Sequence, residues 1–161
     1  MGRPVSTRLP YDARRALTSR ETEDCDDVRT PSLRARWHGP AVWGPETASR
    51  ADVEAILGRS CAVGGCHASA PGAGGLALPQ ADAAWVDSVV GVTSQENPPM
   101  DLVTPGDPAR SWLVYKIFGD LCRFTCDPKL GCGGQMPFGQ QLAEQERGVI
   151  LAWIRHGASA D

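Results

Sequence analysis

Cys61 and Cys66 flank Ala62-Val63-Gly64-Gly65, and His67 follows Cys66 directly. Two thiols followed at once by an imidazole is the arrangement that attaches a c-type haem: each thiol adds to a vinyl group as a thioether, and the neutral ring nitrogen reaches the iron. The usual pattern has two residues between the cysteines, whereas four stand here. Gly64 and Gly65 can take backbone angles closed to other residues, so the extra length can bulge while Cys66 stays beside His67. Electron carriers commonly place a Met thioether on the far side of the iron. Met136 suits that role, because Pro137 stiffens the Gly-rich loop that presents it. Met100, in Pro98-Pro99-Met100-Asp101, is the alternative distal ligand.

Plainer chemistry is open to the same residues. Cys61 and Cys66 could close a small Gly-rich loop as a disulfide in an exported domain. With His67 and one of Cys122, Cys126 or Cys132 they could hold zinc, although adjacent ligands and a four-residue spacer fit a structural zinc site poorly. Either Met could be a gap-filler in the core. His156 reads as a cation at a helix C-terminus, and His38 as a solvated residue of the leader. Cys122, Cys126 and Cys132 crowd one loop, where a disulfide would hold the segment bearing Met136. Cys126 with Cys132 is the preferred pair, since the residues between them include Gly131 and can close without strain, leaving Cys122 for Cys25 or unpaired. Phosphate-loop, nucleophile-elbow and paired-carboxylate patterns are missing.

These residues must be positioned by a small amount of regular structure. The 161 residues include 18 Gly and 13 Pro, which implies long turns and loops around a thin apolar core. Ser49, with Asp52 three residues on, predicts a capped helix whose apolar face is Val53, Ile56 and Leu57, running straight into Cys61. A second helix is expected over Ala81 to Val90. A third has Asp107 as cap and Pro108 in its first turn, carries Trp112, Leu113, Lys116 and Ile117, and ends at Gly119. A fourth runs from about Leu142 to His156, with Leu142, Val149, Ile150 and Trp153 on one face and Gly157 as stop. No segment alternates long enough to make a strand. Residues 1–46 read as a poorly ordered leader rich in Arg, Asp, Thr and Pro, 47–158 as the domain and 159–161 as a tail.

Taken together, these segments resemble the small bacterial c-type cytochrome domain. The resemblance spans roughly Ser49 to Ala158. It rests on the Cys-x4-Cys-His segment, Trp85-Val86-Asp87-Ser88-Val89-Val90-Gly91-Val92, Val103-Thr104-Pro105-Gly106-Asp107-Pro108, Lys116-Ile117, Gln135-Met136-Pro137 and Ile150-Leu151-Ala152-Trp153-Ile154. It implies an all-α, cytochrome c-like fold around one covalent haem c, with the first helix crossing the last so that Val53 and Leu57 lie near Ile150 and Trp153. Cys61 and Cys66 would anchor the ring, and His67 and Met136 would be the axial ligands. The expected function is single-electron transfer between redox protein partners, without enzymatic turnover. The alternatives are a haem-free, disulfide-stapled exported interaction module and, if no Met ligates, an open-iron peroxidase-like enzyme. Ala143 stands where such sequences often carry a capping Ser.

A net charge of −3, with Arg and aromatic residues not interleaved, gives no reason to expect nucleic acid as a partner. No apolar run approaches the length of a membrane span. Haem attachment and disulfides both imply a periplasmic or exported location, yet Met1 to Arg20 has no apolar central stretch of the kind a signal peptide needs.

Overall fold

Helix α1 (Arg50–Ser60) begins as its sequence dictates. In the computed structural model, which describes residues 44–78 and 84–160, the Ser49 hydroxyl accepts from the Asp52 amide at 3.3 Å, and the Asp52 carboxylate accepts from the Ser49 amide at 2.9 Å. Two orphan donors of the first turn are thereby satisfied. Val53, Ile56 and Leu57 turn inward, and the chain leaves the helix at Cys61. Cys25, His38 and most of the expected leader lie outside the described residues.

Helix α2 (Ala84–Asp87) is shorter than the expected span of Ala81 to Val90, part of which lies outside the described residues. At its C-terminal side the backbone turns away because Gly91 takes a left-handed φ of 69°. Val89 and Val103 are then joined by a 3.0 Å backbone bond, and Gly91 donates to Val103 at 2.9 Å. Three isolated bridges, with no β-strand, occur among the described residues.

The third helix is divided, contrary to expectation. Pro108–Arg110 form a 3-10 turn, and the Asp107 side chain makes no capping bond. Ser111 is extended, its hydroxyl donating to the Asp107 carbonyl at 2.8 Å, so α3 (Trp112–Phe118) starts only after it. Gly119, with φ 75°, closes α3 as the sequence requires.

Helix α4 (Glu144–Arg155) starts two residues later than Leu142, which is nevertheless buried. Ala143 has no side-chain oxygen for a cap. Glu146 supplies the other half of the box, accepting from the Ala143 amide at 2.8 Å. Burial in the α1–α4 contact joins Val53, Leu57, Ile150 and Trp153 in one core, with the Trp85 and Trp153 rings 5.7 Å apart. Residues 44–46 already lie against α4: a side chain on Gly44 would meet the Gly148 backbone, and His156 Nε2 donates to the Glu46 carbonyl at 2.6 Å. His156 thus serves as a strap between the entering chain and α4, in addition to its place at the helix end. Ser159 of the expected tail accepts from the Trp153 indole at 2.9 Å.

The described part is therefore helical, with four α-helices. No helix among these residues is long and apolar enough to cross a membrane.

Candidate functional site

Where α1 ends, the chain forms one side of a cleft. Cys61, Leu57 and His67 line it together with Leu76, Leu78, Val89, Leu102, Trp112, Leu113, Ile117 and Met136, and a short polar strip is supplied by Ser94, Gln95, Glu96 and Lys116. An apolar cavity with few convergent polar groups is the usual form of a cofactor or ligand site. Its volume is about 110 Å³, below the roughly 300–1,000 Å³ of drug-sized sites, so an occupant of that size extends through the mouth or parts the loops.

Of the two spacer glycines, only Gly65 uses the conformational freedom expected of both. Gly65 takes φ 81°, the Cys66 amide reaches back to the Val63 carbonyl at 3.0 Å, and the His67 amide returns to the Cys61 carbonyl at 3.2 Å. This tight bulge brings His67 back beside the helix end. Cys61 is buried and Cys66 exposed, and both are free thiols. Burial, reinforced by the neighbouring Cys66, pushes the Cys61 thiol up to about 11.

A second loop fixes the imidazole. Residues 72–78 fold back through a 3-10 turn, Ala73–Gly75, and the Leu78 amide donates to the His67 carbonyl at 2.7 Å. His67 Nδ1 lies 2.8 Å from the Leu76 carbonyl oxygen. A carbonyl only accepts, so Nδ1 carries the proton and, in the neutral ring, the lone pair stands at Nε2. Gly72 makes this geometry possible: its φ is 67°, and a Cβ there would lie 1.8 Å from that same Leu76 oxygen.

Met136 reaches the cleft along the end of α3. Helix C-termini leave carbonyls unpaired, and here the Lys116 carbonyl accepts from the Met136 amide at 2.8 Å while the Ile117 carbonyl accepts from Gln135 Nε2 at 3.2 Å. Met100 does not line the cleft; it is half-buried against the core, with its amide on the Asn97 carbonyl.

Cys126 and Cys132 are joined as a disulfide, and Cys122 is also disulfide-bonded. None of the three is therefore a free thiolate that could complete a zinc site with Cys61, Cys66 and His67, and no group of three or more His, Cys, Asp or Glu suited to a metal ion exists among the described residues. A small disulfide between Cys61 and Cys66 is likewise not formed.

Sequence reasoning missed the polar strip. Lys116 sits on the apolar face of α3 and is 7% exposed. Its ammonium donates to Glu96 Oε2 at 2.9 Å and to the Cys132 carbonyl at 2.8 Å, and Trp112 Nε1 donates to the same Glu96 oxygen at 2.9 Å. A lysine in register with Trp112, Leu113 and Ile117 is itself a signal, since a buried ammonium requires a partner. Glu96 carries no such signal, because nothing in its local sequence places a loop carboxylate there.

Comparison with protein-family models, with curated proteins and with solved structures found no match for the chain.

Proposed function

We propose that the chain is a c-type cytochrome-like domain that binds one covalent haem c and passes single electrons between redox protein partners. The observation that carries this reading is that two unbonded thiols and an imidazole with Nε2 left free converge at the end of α1, beside a mainly apolar cleft that Met136 also lines. The donor set suits the group. Cys61 and Cys66 would hold the ring through thioethers, and His67 Nε2 and the Met136 thioether would be the donors to its iron. When bound, haem supplies a one-electron couple at its iron.

The chain's own contribution is orientation and exclusion of water. The Leu76 carbonyl fixes the His67 ring with Nδ1 as donor and Nε2 turned away from it. Leu57, Val89, Leu102 and Ile117 keep solvent from the cleft wall, which favours the less charged redox state. With His67 and Met136 both held as donors, the iron would offer a substrate no site, so the reading is a carrier and not an enzyme. Thioether attachment and the disulfides belong to an oxidising, extracytoplasmic compartment.

The test is intact mass of the denatured full chain after production with a haem-attachment system. An increase of one haem is expected, lost in Cys66→Ser. A bare-chain mass with no free thiol would overturn the proposal in favour of the haem-free interaction module. A haem-bearing chain that binds cyanide without displacing Met136 would favour the open-iron enzyme.

A further inference from the structure

Resting on that reading of Met136, we infer that Lys116 is the positioning residue of the Met136 segment, clamping residues 132–136 to the cleft wall with Glu96 as its charge partner.

Residues 126–136 pack against the core only through Cys126 and Cys132, and Leu130 is 51% exposed. Polar contacts hold the rest, and most of these come from two residues. Glu96 takes the Asp127 amide on its carbonyl at 2.8 Å, and Lys116 takes the Met136 amide on its own carbonyl at 2.8 Å. Between these points the Lys116 ammonium grips the Cys132 carbonyl at 2.8 Å, and Cys132 is tied covalently to Cys126. The backbone then passes directly over the ion pair. Gly133 has φ 61°, and a Cβ there would lie 2.7 Å from Glu96 Oε1 and 2.8 Å from Lys116 Nζ. Gln135, next along, reaches the Ile117 carbonyl. The segment is thus fixed at Asp127, Cys132, Gln135 and Met136, and Lys116 alone supplies two of the four contacts.

Stability by itself does not call for this arrangement. The Lys116 side chain is 9% and the Glu96 side chain 20% exposed, and a pair so buried is commonly replaced by apolar residues without loss. What an apolar pair cannot supply is a donor for the Cys132 carbonyl and a charged surface that holds the backbone at Gly133. The ion pair therefore acts on the loop more than on the core.

The experiment compares the full chain with Lys116→Met, Glu96→Gln/Lys116→Met and Gly133→Ala by residue-resolved amide hydrogen exchange, on chains made with and without haem attachment. In Lys116→Met, exchange at residues 133–136 should rise at least tenfold, with α1 and α4 amides rising less than threefold. The double variant keeps an acceptor for Trp112 Nε1 and leaves no unpaired charge, so global stability should recover while residues 133–136 stay fast. Gly133→Ala keeps both charges and should give the same local pattern, which covers the case in which Lys116→Met does not fold. In the haem-bearing form the same variants should bind imidazole at least tenfold more tightly. A uniform rise across the core, unchanged exchange at 133–136, or recovery of loop protection in the double variant would each overturn the inference. Failure of all chains to take haem would refute the proposed function, while the exchange comparison would still decide the role of Lys116.

Discussion

Replacing Gly72 by Ala should disconnect His67 from its hydrogen-bond acceptor. A Cβ at Gly72 would stand 1.8 Å from the Leu76 carbonyl oxygen and 2.5 Å from its carbon. A non-bonded carbon and oxygen need more than 3 Å or so, so the Leu76 peptide must retreat by over an ångström, and a 2.8 Å bond to His67 Nδ1 does not survive such a shift. Three costs follow. A left-handed φ at Ala costs about 1 kcal/mol, the lost bond about 0.5–1.5 kcal/mol, and the displaced turn disturbs the Leu78–His67 backbone bond as well. A loss of about 2–3 kcal/mol is expected, or roughly 10 °C in Tm for a domain of this size. Gly64→Ala is the matched control in the same segment, because nothing lies within 4 Å of a Cβ there; it should move stability by less than about 0.5 kcal/mol. Thermal unfolding gives the energies. Nitrogen NMR of the ring gives the tautomer, which should be Nδ1–H in the native chain and mixed in Gly72→Ala. Equal stability of the two variants, or an unaltered Nδ1–H signal in Gly72→Ala, would show that the loop does not hold the imidazole as argued.

Two further outcomes are expected. In the haem-bearing chain, Met136→Ala should remove the weak red-edge absorption band that reports Met sulfur on ferric iron, and Met100→Ala, outside the cleft, should leave it; the opposite pattern would move the ligand to Met100. In the haem-free chain, the Cys61 thiol holds its proton up to about 11 when folded against an ordinary value of 9.0, so the unfolded chain releases that proton first and stability falls as pH rises between those values. Urea unfolding at pH 8 and 10.5 should show a loss of about 2 kcal/mol that is absent in Cys61→Ala and absent once haem occupies the thiol.

Legibility in the sequence followed the range of the interactions. The Ser49–Asp52 box and the Gly119 stop rest on groups a few residues apart, and both appear as the local pattern requires. The Cys126–Cys132 pair, closed by a short loop, was legible for the same reason. Asp107-Pro108 misled because two local rules compete there: Pro108 starts a turn, but the Ser111 hydroxyl bonds back to the Asp107 carbonyl and holds its own backbone extended, splitting the helix. At the site, His67 and Met136 stand out by type and neighbour. Their supports do not, since the Leu76 carbonyl is a backbone atom of an apolar residue and Glu96 is twenty positions from Lys116 in the chain. Long-range polar pairing leaves no periodic trace.

The supports divide along the same line, which has a consequence for how the site responds to change. Neither His67 nor Met136 is a member of the buried core shared by α1 and α4. His67 is held by backbone bonds to Cys61 and Leu78 and, at its ring, by the Leu76 carbonyl of a Gly-dependent turn; Met136 is held by the C-terminal carbonyls of α3 and an ion pair. Segments secured by a few backbone and polar contacts open at lower free energy than the core does. Either loop is therefore able to open while the Trp85–Trp153 core stays closed. Large-to-small changes at Ile150 or Trp153 act on the whole domain, by about 2–5 kcal/mol each, and changes at Gly72, Lys116 or Gly133 act first on the two loops. The geometry of His67 and Met136 and global stability are thus separable in this chain, and a mutation series that moved both in proportion at every one of these positions would contradict the division.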